Sequence, residues 1–232
     1  MKTCFIFVYR ESNTNRKNNL EKVLINMPSE YEIIVVEQDI KQHFLSSIFV
    51  YNAGLFNRGW GFNVGALKTN ADVLVFSDCD LLIQKEDINK CLDKIKEVDV
   101  VDPKGFIIDL AENETVENNT KRYRTSFDLA GGIVFFKREA FFKINGWDED
   151  LRGWGVEDNV MTIKIKKLLT FCKINCVLHH LFHSDRVKNA RNQDFYRKNY
   201  SIFKKIKSLT YDQLTEYYKD KQIGNIEKYV NE

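Results

Sequence analysis

The chain has 232 residues, 44% of them hydrophobic, with 35 basic and 33 acidic side chains and a formal net charge of +2. That is ample apolar material for one α/β domain, and too even a charge to call for a nucleic-acid partner. No apolar run approaches the roughly 20 residues of a membrane-spanning helix, and the first nine residues are too short an apolar stretch for a secretory signal.

Residues 4–9 (Cys-Phe-Ile-Phe-Val-Tyr) read as a buried strand, and 10–15 as a polar turn. Leu20, Val23, Leu24 and Met27 fall at i, i+3, i+4 and i+7, a helix stripe that Pro28 ends. Residues 33–36 form a second strand. Strand, helix, strand predicts a right-handed parallel crossover. Residues 56–68 read as a loop entering a helix. The third strand, 72–76, runs into Ser77-Asp78-Cys79-Asp80. Ile88, Cys91, Leu92 and Ile95 mark another helix, and 98–101 a short strand. Residues 112–124 are polar apart from Val116 and Tyr123 and read as an exposed, mobile loop, either a lid or binding loop or a plain surface excursion. Two glycines open a strand over 131–137, a short helix follows over 138–144, and Asn145-Gly146 stops it. Residues 147–158 are a loop dense in glycine, tryptophan and acid. Met161, Ile165, Leu168 and Leu169 mark the next helix, and 176–181 a last strand entering His183. The tail, 189–207 and 210–219, is helical and polar. Its basic stretches, 164–167 and 186–207, read as solvated helix faces or as a peripheral membrane contact. Five cysteines, an odd number without metal spacing, suit a reducing, cytoplasmic compartment.

Three places carry chemistry. Asp78 and Asp80 stand beyond a buried strand, where open α/β sheets bind ligands. Two carboxylates there call for a cation between them, although one of them capping a neighbour is the plainer reading. His179, His180 and His183 are three of the chain's four histidines within five residues. Joined to Asp80 they make a mixed N and O site, which suits Mn²⁺ over Mg²⁺. On a regular strand 179 and 183 share a face, whereas a bend near Leu181 aims 180 and 183 together. In Gly153-Trp154-Gly155, flanking glycines expose an indole, a platform for a sugar face. Glu157 and Asp158 follow at a helix start. One acid suffices to cap that helix, which leaves the other for general-base work.

These pieces occur in one order: Phe56-Asn57-Arg58 with Asn63-Val64-Gly65, the Asp78-x-Asp80 segment, Gly131-Gly132, Phe142-x-Ile144-Asn145-Gly146, Gly153-Trp154-Gly155-x-Glu157-Asp158 and His183-Ser184. In this the chain resembles the β-1,4-galactosyltransferases and related inverting GT-A glycosyltransferases over residues 5–200. The resemblance implies a GT-A fold: a single Rossmann-like, mostly parallel twisted sheet flanked by helices. It implies a catalytic domain over 1–200 and a helical extension, 201–232, packed on it. It implies Mn²⁺ (or Mg²⁺) held by Asp80, His180 and His183, with His180 at a position where many members carry Met. It implies a UDP-sugar near Tyr9, Arg10, Arg16, Arg58, Asp78, Trp154 and Glu157, with Asp158 as catalytic base. The expected reaction moves a hexose, galactose first, from UDP-sugar to a hydroxyl of a glycan or glycolipid acceptor. After Trp154 this chain reads Gly155-Val156-Glu157-Asp158-Asn159 in place of the family's all-acidic run, so the acceptor's identity does not carry over from the resemblance. A nucleotidyltransferase and a non-catalytic sugar-binding module are the rivals. The first usually has a glycine-rich loop after strand one, which residues 10–19 lack. The second has no use for a metal set.

Overall fold

The computed structural model describes residues 1–126, 128–184 and 190–230. The first strand, β1 (Thr3–Tyr9), is buried along its whole length, and its side chains feed hydrophobic clusters on both faces of the sheet. Helix α1 (Thr14–Asn26) begins earlier than the apolar stripe suggests, because the Asn13 side chain caps it by accepting from the Arg16 N–H. Strand β2 (Glu32–Asp39) returns parallel to β1, as the crossover predicts. Strand β3 (Ile48–Tyr51) then pairs parallel with β2 at the sheet edge. It is missed by the sequence reading, because four residues show too little alternation.

Helix α2 (Arg58–Leu67) lies on the sheet through glycines one helical turn apart. A Cβ at Gly61 would stand 2.4 Å from a Val8 methyl, and one at Gly65 2.4 Å from an Ile6 methyl. Only glycine allows so close an approach, and it fixes where Arg58, the first helical residue, emerges. Strand β4 (Val73–Ser77) pairs parallel with β1. A two-residue strand, β5 (Leu81–Leu82), and helix α3 (Lys85–Lys94) follow.

Strand β6 (Val100–Asp109) is far longer than the sequence suggests. Pro103 and Gly105 hide its continuation, and the chain absorbs them with two register shifts against its neighbour. Residues 112–124 are not a loose loop. Strand β7 (Tyr123–Arg124) pairs antiparallel with β6. The intervening turn is held by Glu114, which accepts from Ala111 N (2.7 Å), Thr120 N (3.0 Å) and the Arg122 guanidinium. Arg122, with the surrounding N–H groups, lowers the Glu114 carboxyl to about 2.

Strand β8 (Ile133–Lys137) is antiparallel to β4 and leads into α4 (Arg138–Lys143). Helix α5 (Glu157–Leu168) and strand β9 (Phe171–His180) complete the sheet. Its order is β3-β2-β1-β4-β8-β6-β9-β5, with β7 beside β6, so most strands run one way. Helices α6 (Asp194–Ser208) and α7 (Tyr211–Tyr218) pack against α5 around Ile206 and Leu214. The expected tail helix from residue 189 and the basic stretch 186–189 begin outside the described residues. Residue 200, after which the helical extension is expected, lies within α6. Among the described residues no helix is long and apolar enough to cross a membrane.

Candidate active site

The parallel strands end together. Tyr9, Ser77, Asp109 and His180 are the last residues of β1, β4, β6 and β9, and Gly131-Gly132 sits at the same edge because β8 runs the other way. One sheet edge therefore gathers the residues that follow.

Asp80 is 3% exposed. Its Oδ1 lies 3.6 Å from Nε2 of His180, and its Oδ2 lies 3.5 Å from Nε2 of His183. The three ligand atoms fall within 4.8 Å of one another. The tight turn after β4 and the pairing of Leu81 with His180 bring them there. His179 faces away from this group, and burial lowers its basicity. The geometry thus brings His180 and His183 to Asp80, as a bend near Leu181 would. Asp80 Oδ1 is buried without a hydrogen-bond partner among the described residues, which is costly for a carboxylate oxygen. Ligands of one ion with bonds of about 2.0–2.2 Å sit roughly 3–3.5 Å apart. The donor set therefore fits a divalent cation after small adjustments, and its N and O mixture suits Mn²⁺. Arg16, from the first turns of α1, donates to Asp80 Oδ2 at 3.2 Å.

Arg58 forms the second centre. Its guanidinium meets Asp78 at 2.8 Å and Asp158 at 2.5 Å, and its planar face rests 4.9 Å from the Phe62 ring centre. Burial on its own would weaken its hold on the proton; Asp78, Asp158 and Glu157 more than reverse this and keep it charged. Enclosure by protein raises the Glu157 carboxyl to about 7, with the neighbouring Asp158 charge adding to it. Asp158 is raised by the same enclosure, against the pull of Arg58. Gly131 keeps space open at the far oxygen of Asp158, since a Cβ there would lie 3.3 Å from Oδ2.

Helix α5 starts from an unusual turn. Val156, its cap residue, has φ 67° and no side-chain capping bond. A β-branched residue in the left-handed region is strained. Glu157 braces the turn by accepting from Gly155 N at 2.9 Å. Trp154 is 49% exposed and stacks on Tyr196 of α6 with ring centres 6.1 Å apart. Between Trp154, Tyr196, Asp128 and Asp158 opens a polar cavity.

Tyr9 and Arg10, expected to contact the nucleotide, stand at the end of β1. Arg10 is engaged by the carbonyls of Gln38 (2.7 Å), Gly54 (2.8 Å) and Asn52 (2.8 Å), so its guanidinium pins the 52–54 loop. Tyr9 is buried, and its hydroxyl has no hydrogen-bond partner among the described residues. Asp109, beside His180, and Arg124, which donates to it, were missed by sequence reasoning. The signal was present, since Ile107-Ile108-Asp109 repeats in short form the apolar-then-acid ending of β4.

Known proteins resemble this arrangement. A family profile described as the N-terminal domain of galactosyltransferase matches residues 114–184. Human β-1,4-galactosyltransferase 4 is 32% identical over 117 residues, 48% of this chain and 29% of that protein. The chain thus spans less than a third of the length of the curated relatives it matches. Among solved structures, GalNAc-T7 with UDP, GalNAc and Mn²⁺ superposes with a TM-score of 0.64 at 15% identity, over 94% of this chain and 50% of that one. A Drosophila β-1,4-galactosyltransferase 7 mutant with manganese, UDP-Gal and xylobiose gives 0.54 at 15% identity, over 83% and 79%.

The chain has the GT-A fold, and about half of it is similar in sequence to β-1,4-galactosyltransferase 4. The fold expected from its motif order is the one observed, and the neighbours with the same fold are glycosyltransferases whose complexes hold UDP and Mn²⁺.

Proposed function

We propose that the chain is a metal-dependent, inverting glycosyltransferase that moves a hexose from a UDP-sugar to a hydroxyl of a glycan acceptor. Galactose is the first choice of donor sugar. The observation that carries this reading is the pairing of Asp80, His180 and His183 with Arg58, all at one sheet edge. A non-catalytic sugar-binding module has no need for that combination.

In this reading Asp80, His180 and His183 hold Mn²⁺, which supplies positive charge to the diphosphate. Arg58 stands where the leaving diphosphate gathers negative charge, and its two carboxylate partners keep it charged and oriented. Arg16 approaches the same charge from α1. Trp154 offers its face to the sugars and Glu157 sits beside the donor hexose. Asp158 takes the proton of the acceptor hydroxyl as that oxygen bonds to the anomeric carbon. The bond from that carbon to the diphosphate oxygen breaks on the opposite face, so the configuration inverts and UDP leaves. Its raised basicity suits Asp158 to this work near neutral pH. Tyr9 lines the floor below the nucleotide. Arg10 acts on it only through the loop it pins. A glycolipid acceptor, reached through the basic faces of α6, is the form of this reading that includes membrane contact. The cytoplasmic placement rests on five cysteines that stand as free thiols.

The test is a panel of UDP-sugars with Mn²⁺ and mixed glycan acceptors, read by UDP release and product mass. A hexose added to acceptor with stoichiometric UDP is the expected outcome. Pyrophosphate as product would indicate nucleotidyl transfer instead. Binding without turnover across the panel would leave a sugar-binding module.

A further inference from the structure

Behind the three ligand atoms stands a carboxylate that the reaction above does not use. Asp109 ends β6 and is the register partner of His180 on β9. Its Oδ1 lies 3.3 Å from Nδ1 of His180. Both of its oxygens also accept from Nε of Arg124 on β7, at 2.9 and 3.0 Å. The backbone locks this arrangement: Asp109 N donates to Arg122 O at 3.0 Å, and Leu110 N to His180 O at 2.9 Å.

The hairpin does not need the Asp109–Arg124 pair to hold its shape. Its turn is tied by Glu114 to Ala111, Thr120 and Arg122. Arg124 is largely exposed, with 44% of its side chain open, and an exposed pair adds little stability. Its Nε–H is nonetheless shared between both oxygens of a carboxylate that touches a histidine.

That contact has a chemical consequence. A neutral imidazole carries one proton on one of two nitrogens. A carboxylate at Nδ1 selects the Nδ1–H form and leaves the lone pair on Nε2, the atom that faces Asp80. It also fixes the ring's rotation and makes Nε2 a better donor to a metal. We propose that Asp109, clamped by Arg124, is a positioning residue that sets the tautomer and orientation of His180, so that the 110–124 hairpin is part of the metal centre. The proposal rests on the metal-dependent reading above.

The experiment measures the Mn²⁺ dissociation constant of the full chain with saturating UDP, by the electron-spin resonance of free Mn²⁺. Asp109→Ala is expected to weaken Mn²⁺ about 10–100-fold, the usual effect of losing an outer-shell carboxylate. Arg124→Ala weakens it less, and Arg124→Lys restores most of the loss. Nitrogen-15 imidazole spectra of the metal-free chain, assigned with His180→Gln, should show His180 as the Nδ1–H tautomer in wild type and shifted toward Nε2–H in Asp109→Ala. A merely structural role would move the unfolding temperature and leave the tautomer alone. A folded Asp109→Ala with wild-type Mn²⁺ affinity overturns the proposal. Should that variant not fold, Arg124→Ala with unchanged affinity and unchanged tautomer overturns it. A wild-type chain that binds no Mn²⁺ beside UDP overturns the underlying reading, and this inference with it.

Discussion

Two clusters of buried polar side chains serve different ends. One joins Asn57, Asn63, Asp148 and Glu149 to the C-terminal segment. Asn63 donates to Trp147 O (2.9 Å) and Glu149 Oε1 (2.8 Å) and accepts from Trp147 N (2.9 Å). Glu149 also takes Gly224 N (2.6 Å) and Lys228 Nζ (2.7 Å), and Asn57 reaches the Tyr229 hydroxyl (2.7 Å). The other cluster is Asp80 with His180 and His183, where a buried carboxylate oxygen has no hydrogen-bond partner among the described residues. A satisfied network is a brace, because each member answers another's desolvation. An unsatisfied one at a sheet edge is a socket, and its cost falls when a ligand arrives. Both clusters are buried and polar, so burial and polarity alone do not separate scaffold from site.

The sharpest break between the two is kinetic. Asp158→Asn keeps shape and hydrogen bonding at Arg58 but removes the proposed base. Transfer should fall about 10²–10⁴-fold with UDP and Mn²⁺ binding unchanged; near-normal turnover would reduce Asp158 to a helix-start acid. Next comes the brace. Glu149→Ala strands Asn63, Gly224 N and the Lys228 ammonium, and should cost about 2–3 kcal/mol in urea unfolding. Its Mn²⁺ affinity should stay that of wild type in the folded fraction. A loss of metal affinity without a loss of stability would join the two clusters after all.

Asp80→Asn should do the reverse. Stability without ligand should change by less than about 1 kcal/mol, since a carboxylate with one orphaned oxygen is traded for a neutral amide whose oxygen can still accept from Arg16. The rise in unfolding temperature that UDP with Mn²⁺ gives wild type should vanish. A large loss of apo stability would show that Asp80 is a brace as well. The smallest effect concerns Glu157. Its folded carboxyl, at about 7, holds a proton that the unfolded chain releases near the ordinary value of 4.5. That contribution to stability is present below 4.5 and fades as pH rises through 7. Glu157→Gln has no such titration, so its urea midpoint should gain on wild type between those pH values. Parallel midpoint curves would refute the raised carboxyl.

The sequence reveals the strands that are apolar throughout and end in acid, because burial on both faces removes alternation and leaves a plain signal. β1 and β4 are of this kind. β6 hides behind Pro103 and Gly105, which ordinarily break strands and are here absorbed by register shifts against β9. Its acid, Asp109, was lost with it. Residues 112–124 look loose because polar composition does not reveal that Glu114 is the hub of the turn. Arg10 and Arg58 are both arginines beside the expected nucleotide, yet one is engaged by carbonyls and the other by carboxylates. Only three-dimensional partners separate them.

Val156 carries a consequence for how this protein would respond to selection. A branched side chain held at φ 67° costs on the order of 1–3 kcal/mol, and it does so one residue before the Glu157-Asp158 pair. Random mutagenesis screened only for heat tolerance would tend to remove that strain, and with it the aim of the two acids. Screened for turnover, the same library would keep the valine and gain its robustness elsewhere. Position 156 is thus where selection for endurance and selection for activity part company.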